Sequence, residues 1–439
     1  METKFDALVI GAGTGGMCAA ARLAHKGYKT LLVETHDRVG GRASTREVDG
    51  FLLNTGALVI EIGGAVEQTL NDVGVKLNLF VPKPATELLI GNKHLNADGG
   101  FVGWIRNQAP NILNFITKIL PPFKPKKGES TAEWLRKFTK SKFIHGAVSN
   151  VIGAMFAASS EDLPADVFLH YFTKGSAFKK IGLAPGGTVE VWKSLLPVIE
   201  KNGEVWLSSS VKKLTFNEHG LVNGAEIERN GKIVTISTNV VVSNAGPWAT
   251  VQMAGEEHFP KGHYQKIERE NRPAAIITIH FASQKPLAKF EGLALAAKTH
   301  RMVYAGNFSQ PEQKRCPPGW YLYCAASVPK PAIGEFDLEE EKRLLIQDIK
   351  DYFPGFEEHG KILAIDVTAH EWPAQRAVTG FDQPMQTPVK NLWDVGDGAK
   401  PWGEAGTVAC AKGAKIIVDE ISERFPVKTA IPMPVPGKH

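Results

Sequence analysis

Gly11, Gly13 and Gly16 stand in the spacing G-x-G-x-x-G, and the carboxylate of Glu34 follows at the end of the next apolar run. Each residue type has a job in binding a dinucleotide. The first glycine permits a tight turn, the second lets a pyrophosphate touch the backbone, and the third lets a helix and a strand pack closely. The N–H groups of the helix start, at Thr14 and Gly15, add the positive end of the helix dipole. An acid at the distance of Glu34 accepts hydrogen bonds from ribose hydroxyls. The elements that must position these groups are present in order: a β-rich run Phe5–Ile10, an alanine-rich helical stretch Met17–Lys26, and a second strand Tyr28–Val33. A glycine-rich turn in some other α/β domain would leave Glu34 unexplained.

Gly40-Gly41-Arg42 follows shortly after, giving a second close backbone approach with a cation to neutralise phosphate. Together, Gly11 to Gly16, Glu34 and Gly40-Gly41-Arg42 resemble the FAD-binding signature of the flavin amine oxidase superfamily, in its phytoene desaturase-like branch. Two later blocks resemble it as well. Leu183 to Thr188 precedes an amphipathic helix and the strands Gly203–Leu207 and Val211–Leu214, and the resemblance implies that Val211 places a backbone group against adenine. Asn391 to Gly398 resembles the motif whose aspartate binds the ribityl chain, which implies that role for Asp397 beside Gly396. Gly403 to Ala414 resembles the helix whose start, at Gly406 and Thr407, faces the flavin ring. Gly56 and Ala57 are implied to lie near the same ring. One departure stands out: the family often has Asp-x-Gly where this chain has Asn54-Thr55-Gly56, so an acid becomes an amide.

The resemblance implies an α/β fold with a Rossmann-like, glutathione-reductase-type FAD-binding domain and a second, mixed α+β substrate domain. Because the cofactor segments are scattered, the first domain must be discontinuous: 1–77, 183–271 and 366–430, with 78–182 and 272–365 left for the substrate and 431–439 a mobile, proline-rich tail. Asp49-Gly50 between β-like runs predicts a hairpin, and Gly91-Asn92 a second. Ala65 to Val73 and Leu338 to Phe353 read as helices. Ala274 to Phe281 and Trp320 to Val328 read as strands.

If FAD is bound, the flavin carries the hard chemistry and the protein orients a C–H bond and excludes water. The expected reaction is removal of a hydride and a proton from an apolar isoprenoid or alicyclic substrate, with oxygen or a quinone as electron acceptor. Glu404 is the first acid/base candidate, set against a plain helix-start charge. Trp402 is a candidate wall beside the ring. His370 could line the pocket or end a strand in an ordinary turn. Cys410 reads as a packed thiol rather than a point of flavin attachment. An amine oxidase, a flavin-dependent isomerase and a prenyl-binding protein on the same fold remain as alternatives.

The chain has 439 residues with 51 Lys+Arg against 46 Asp+Glu, an excess too small to suggest a nucleic-acid partner. No histidine spacing suggests a metal. Four scattered cysteines without a CxxC pair suggest a reducing, cytoplasmic setting. No signal peptide or membrane span is expected. Asn111 to Leu120 carries an apolar stripe beside Lys124, Lys126 and Lys127. Such a helix can touch an anionic membrane peripherally, or pack on its own domain beside a solvated lysine loop.

Overall fold

The computed structural model describes residues 3–91, 93–97, 99, 108, 111–112, 115, 123–174 and 180–427. A five-stranded parallel sheet runs in the order Gly203–Trp206, Thr30–Val33, Ala7–Ile10, Val240–Ser243, Leu392–Asp394. Its strands are short, and all but the edge strand Gly203–Trp206 are buried throughout, as a sheet covered on two faces requires. Alternation decides which face each residue meets. Ala7, Val9, Leu32, Val240, Val242 and Trp393 pack with the helices Thr14–His25 and Gly406–Arg424. Leu8, Ile10, Leu31, Val33, Val241 and Leu392 pack instead against the antiparallel strands Ser209–Phe216, Val222–Arg229 and Lys232–Ser237. Each such branched side chain taken out of water contributes roughly 2 kcal/mol.

A second sheet has seven strands in the order Gly360–Thr368, Ile276–Ser283, Tyr321–Ser327, Met302–Asn307, Gly292–Ala296, Thr86–Ile90, Lys93–Asn96. All neighbours are antiparallel except Gly292–Ala296 with Thr86–Ile90. Ile277, Ile279 and Phe281 face the cluster shared with the helix Leu338–Tyr352. The alternate residues Ile276 and Ala282 join the cluster on the opposite face. Gly360–Thr368 runs past the boundary expected at 365.

Most local expectations match. The first hairpin pairs Thr45–Val48 with Phe51–Asn54, and its turn residues Asp49 and Gly50 both have positive φ, at 51° and 80°. The helix expected after Thr188 is instead two short pieces, Val189–Lys193 and Leu196–Glu200. Pro197 lies in the first turn of the second piece and lacks the N–H needed to continue the first. Most of the stripe at Asn111 to Leu120 and the tail 431–439 lie outside the described residues. Among the described residues, no helix is long and apolar enough to cross a membrane.

Candidate cofactor cleft and substrate chamber

The glycine turn sits at the carboxyl end of the parallel sheet, where open α/β sheets bind ligands. Gly11 takes φ +88°, and a Cβ on Gly16 would lie 1.9 Å from the Gly11 carbonyl oxygen. Helix and strand can approach this closely only without that carbon. The helix Thr14–His25 starts with Gly13 as its cap and no side-chain cap, so its first N–H groups remain open to the cleft. Glu34 is buried; its carboxylate accepts from the Ala12 N–H at 2.6 Å and the His36 N–H at 2.8 Å. That fixes the acid while leaving lone pairs for hydroxyl donors.

Gly40 and Gly41 are brought onto this turn by a bond from the Gly40 N–H to the Ala12 carbonyl, 2.7 Å. A Cβ on Gly40 would lie 2.4 Å from Trp192. Arg42 follows, and its guanidinium grips Asp397 with both nitrogens, at 2.6 and 2.7 Å, across most of the chain length. It also donates to the carbonyls of Pro373 and Ala374. Burial by itself would raise the Asp397 carboxyl, but Arg42 outweighs it and holds the group well below the usual carboxylate range.

These groups line one cavity of about 550 Å³. Every expected cofactor residue borders it except Gly16, which packs beneath on Gly11: Gly11, Gly13, Thr14, Gly15, Glu34, Gly40, Gly41, Arg42, Gly56, Ala57, Val211, Gly396, Asp397, Gly406 and Thr407. Val211 stands at a register shift in its strand pair. Cys410 lines the cavity too, and burial pushes its thiol up to about 12, so it stays protonated. The catalytic candidates are placed differently. Glu404, Trp402 and His370 are not among the residues bordering the cavity. Glu404 pairs with Lys412 at 2.6 Å, Trp402 is 51% exposed against His170, and His370 sits in a turn after its strand with φ 52°. The structure does not bring these three together at the cleft.

Among the bordering residues that were not anticipated, four stand out. Asn244 puts its amide under the turns: a Cβ on Gly13, Gly15 or Gly396 would lie 2.5, 2.8 or 2.7 Å from it. The available signal was a polar residue at the carboxyl end of a buried parallel strand. Arg376 donates its backbone N–H to Asp397 at 2.8 Å, and its side-chain Nε is buried with no hydrogen-bond partner. Burial, and then Arg42, pull its basicity down. Tyr304 and Thr278 border the cavity from the second sheet, where sequence shows only ordinary strand residues.

The residues present fit a diphosphate-linked dinucleotide. Open helix N–H groups, the glycine backbone and the Arg42–Asp397 pair border the cleft, as does Glu34. The pattern of the flavin containing amine oxidoreductase family matches residues 14–408.

The chain belongs to that family.

FAD is accordingly its cofactor. Two curated relatives are similar to parts of the chain. The all-trans-retinol 13,14-reductase of Macaca fascicularis is 25% identical over 301 residues, 57% of this chain and 48% of that protein. The zeta-carotene-forming phytoene desaturase of Myxococcus xanthus is 39% identical over 74 residues, 17% of this chain and 14% of that protein. The chain thus spans about half the length of the first and a small part of the second. An oxidoreductase structure from Methanosarcina mazei superposes with a TM-score of 0.78 at 24% identity, covering 95% of this chain and all of that one. That likeness speaks to the fold, mixed α/β in both.

Proposed function

We propose that this flavoprotein desaturates a neutral, apolar substrate of isoprenoid or alicyclic type, passing its electrons on to oxygen or a quinone. The observation that carries the reading is the lining of the cavity beyond Gly56. There, Leu58, Val59, Ala154, Met155, Ala157, Ile276, Leu293 and Tyr304 form the walls. The carboxylates bordering the cavity are Glu34 and Asp397, both at the dinucleotide end, and no lysine borders it among the described residues. An ammonium substrate would lose its hydration there without a counter-charge, which costs several kcal/mol. The wall therefore favours hydrocarbon over amine.

Bound FAD supplies a hydride acceptor. The chain's own contribution is placement and dryness. The apolar wall excludes water, and Tyr304 with Thr278 offers two hydroxyls to orient a polar end of the substrate. Burial drives the Tyr304 phenol far above its ordinary range, so it remains a donor and is a poor base. The proton lost from the adjacent carbon goes to water at the mouth. We assign 1–77, 183–271 and 369–430 to the cofactor domain and 78–182 with 272–368 to the substrate domain. The last boundary falls at the end of the strand Gly360–Thr368.

Turnover in air with a set of linear and cyclic isoprenoids tests the reaction. A product lighter by two hydrogens supports it. An unchanged mass would make the protein an isomerase, and a gain of two hydrogens from anaerobic, dithionite-reduced enzyme a reductase.

A further inference from the structure

The helix Lys142–Phe156 serves two cavities. Its end, at Gly153 to Met155, borders the flavin cleft, and its beginning, including Lys142, Ser149 and Asn150, borders a separate cavity of about 170 Å³. Across from it stand Lys298, His300, Arg301 and Lys330. No carboxylate borders this second cavity among the described residues. Arg301 gives its Nε to Glu341 at 2.6 Å, and His300 stands 3.9 Å from Asp351. The side chains of Lys142, Lys298 and Lys330 have no ion-pair partner among the described residues.

This cationic wall is held in a fixed frame. Asp348 is fully buried, and its carboxylate accepts from the backbone N–H groups of His300, Arg301 and Met302 at 2.8, 2.6 and 2.7 Å. Asn150 donates to the Ala296 carbonyl at 2.8 Å and to the Thr299 hydroxyl at 2.9 Å. The loop that carries Lys298 and Arg301 is therefore fastened from both sides. Gathering like charges is unfavourable unless an anion joins them, and a fixed frame lowers the ordering cost when one does.

We propose that this cavity binds a phosphate or diphosphate group. Its volume is well below the few hundred Å³ typical of whole-cofactor pockets, so the ligand is a single head group. Three ammonium groups without an ion pair among the described residues match a multiply charged tetrahedral oxyanion. A thin wall separates the two cavities. A Cβ on Gly153, which borders the cleft, would lie 2.7 Å from Val303 and 3.3 Å from Val328, which border the basic cavity. The phosphate can therefore be a free ion or the head of a prenyl diphosphate whose tail lies against that wall. Only the second source rests on the apolar-substrate reading above.

Calorimetric titration of the FAD-loaded protein with inorganic pyrophosphate tests the site. Saturable, salt-sensitive binding is expected, weakened about tenfold or more, some 1.4 kcal/mol, in Lys298→Ala/Lys330→Ala. Both lysines are exposed, so an unchanged flavin spectrum will show that the variant is folded. Lys415→Ala, on another helix, is the control and keeps full affinity. Binding that is absent, or indifferent to the double substitution, overturns the proposal. A prenyl diphosphate then separates the sources. Tighter binding than pyrophosphate with a shifted flavin spectrum assigns a substrate head group. Equal affinity with an unmoved spectrum assigns a free anion, and leaves the site standing if the substrate reading fails.

Discussion

Arg42 and Asp397 come from opposite ends of the chain and meet as a bidentate pair at the cleft. Asp397→Asn leaves Arg42 with two carbonyls and a partly buried, uncompensated charge, at a cost of roughly 3 kcal/mol. Flavin content of the purified variant should fall well below that of the parent, with a lower melting midpoint; equal values of both would contradict the role. Asn54 now has a physical account. Arg315, 1% exposed, donates to the Asn54 amide oxygen at 2.6 Å and to the Leu52 carbonyl, while the Asn54 Nδ2 has no partner. Burial lowers the Arg315 guanidinium to about 10. Asn54→Asp removes the orphan donor and pairs the charge, so denaturant midpoints at neutral pH should rise, by about 1 kcal/mol of stability. Asp394 gives a pH signature. Burial pushes its carboxyl up to about 7, against a hydrogen bond from Thr250. An unfolded carboxyl titrates near ~3.9. Between these values the folded chain holds a proton that the unfolded chain has lost, so this group erodes stability as pH rises through that window. Asp394→Asn should gain on the parent over the same window, and parallel stability curves would refute the assignment.

At the scale of elements, the site depends on how closely helix, strand and hairpin approach. A Cβ on Gly56 would lie 2.1 Å from the Arg42 carbonyl oxygen, much as one on Gly16 would strike Gly11. Gly16→Ala or Gly56→Ala must push these elements apart. Each should cost about 1–3 kcal/mol in urea unfolding and reduce flavin retention; a neutral result would show that the turn yields. The first parallel strands and their helix were legible because periodicity and glycine spacing are local properties. So were the residues of the dinucleotide end, since a phosphate cradle needs backbone freedom that few residue types provide. The apolar lining of the cavity was not. Tyr304 and Thr278 lie on strands whose alternation says only which residues share a face, and the opposing helix is distant in sequence. His370, Trp402 and Glu404 were chosen for nearness in sequence to cofactor motifs. A turn at His370 and a salt bridge at Glu404 direct those side chains elsewhere.

Over the whole molecule, two sheets face one cavity. The parallel sheet offers its carboxyl end, with charge and open N–H groups, and the seven-stranded sheet offers an apolar face. On the proposed reading, that division of labour puts a charged cofactor at one end and a neutral reactant at the other. Anaerobic mixing of the purified yellow protein with isoprenoids, cyclic ketones and amines reads it directly through flavin absorbance. Bleaching by an isoprenoid or cyclic ketone, with the amines inert, is the predicted result. Bleaching by an amine alone would contradict the account.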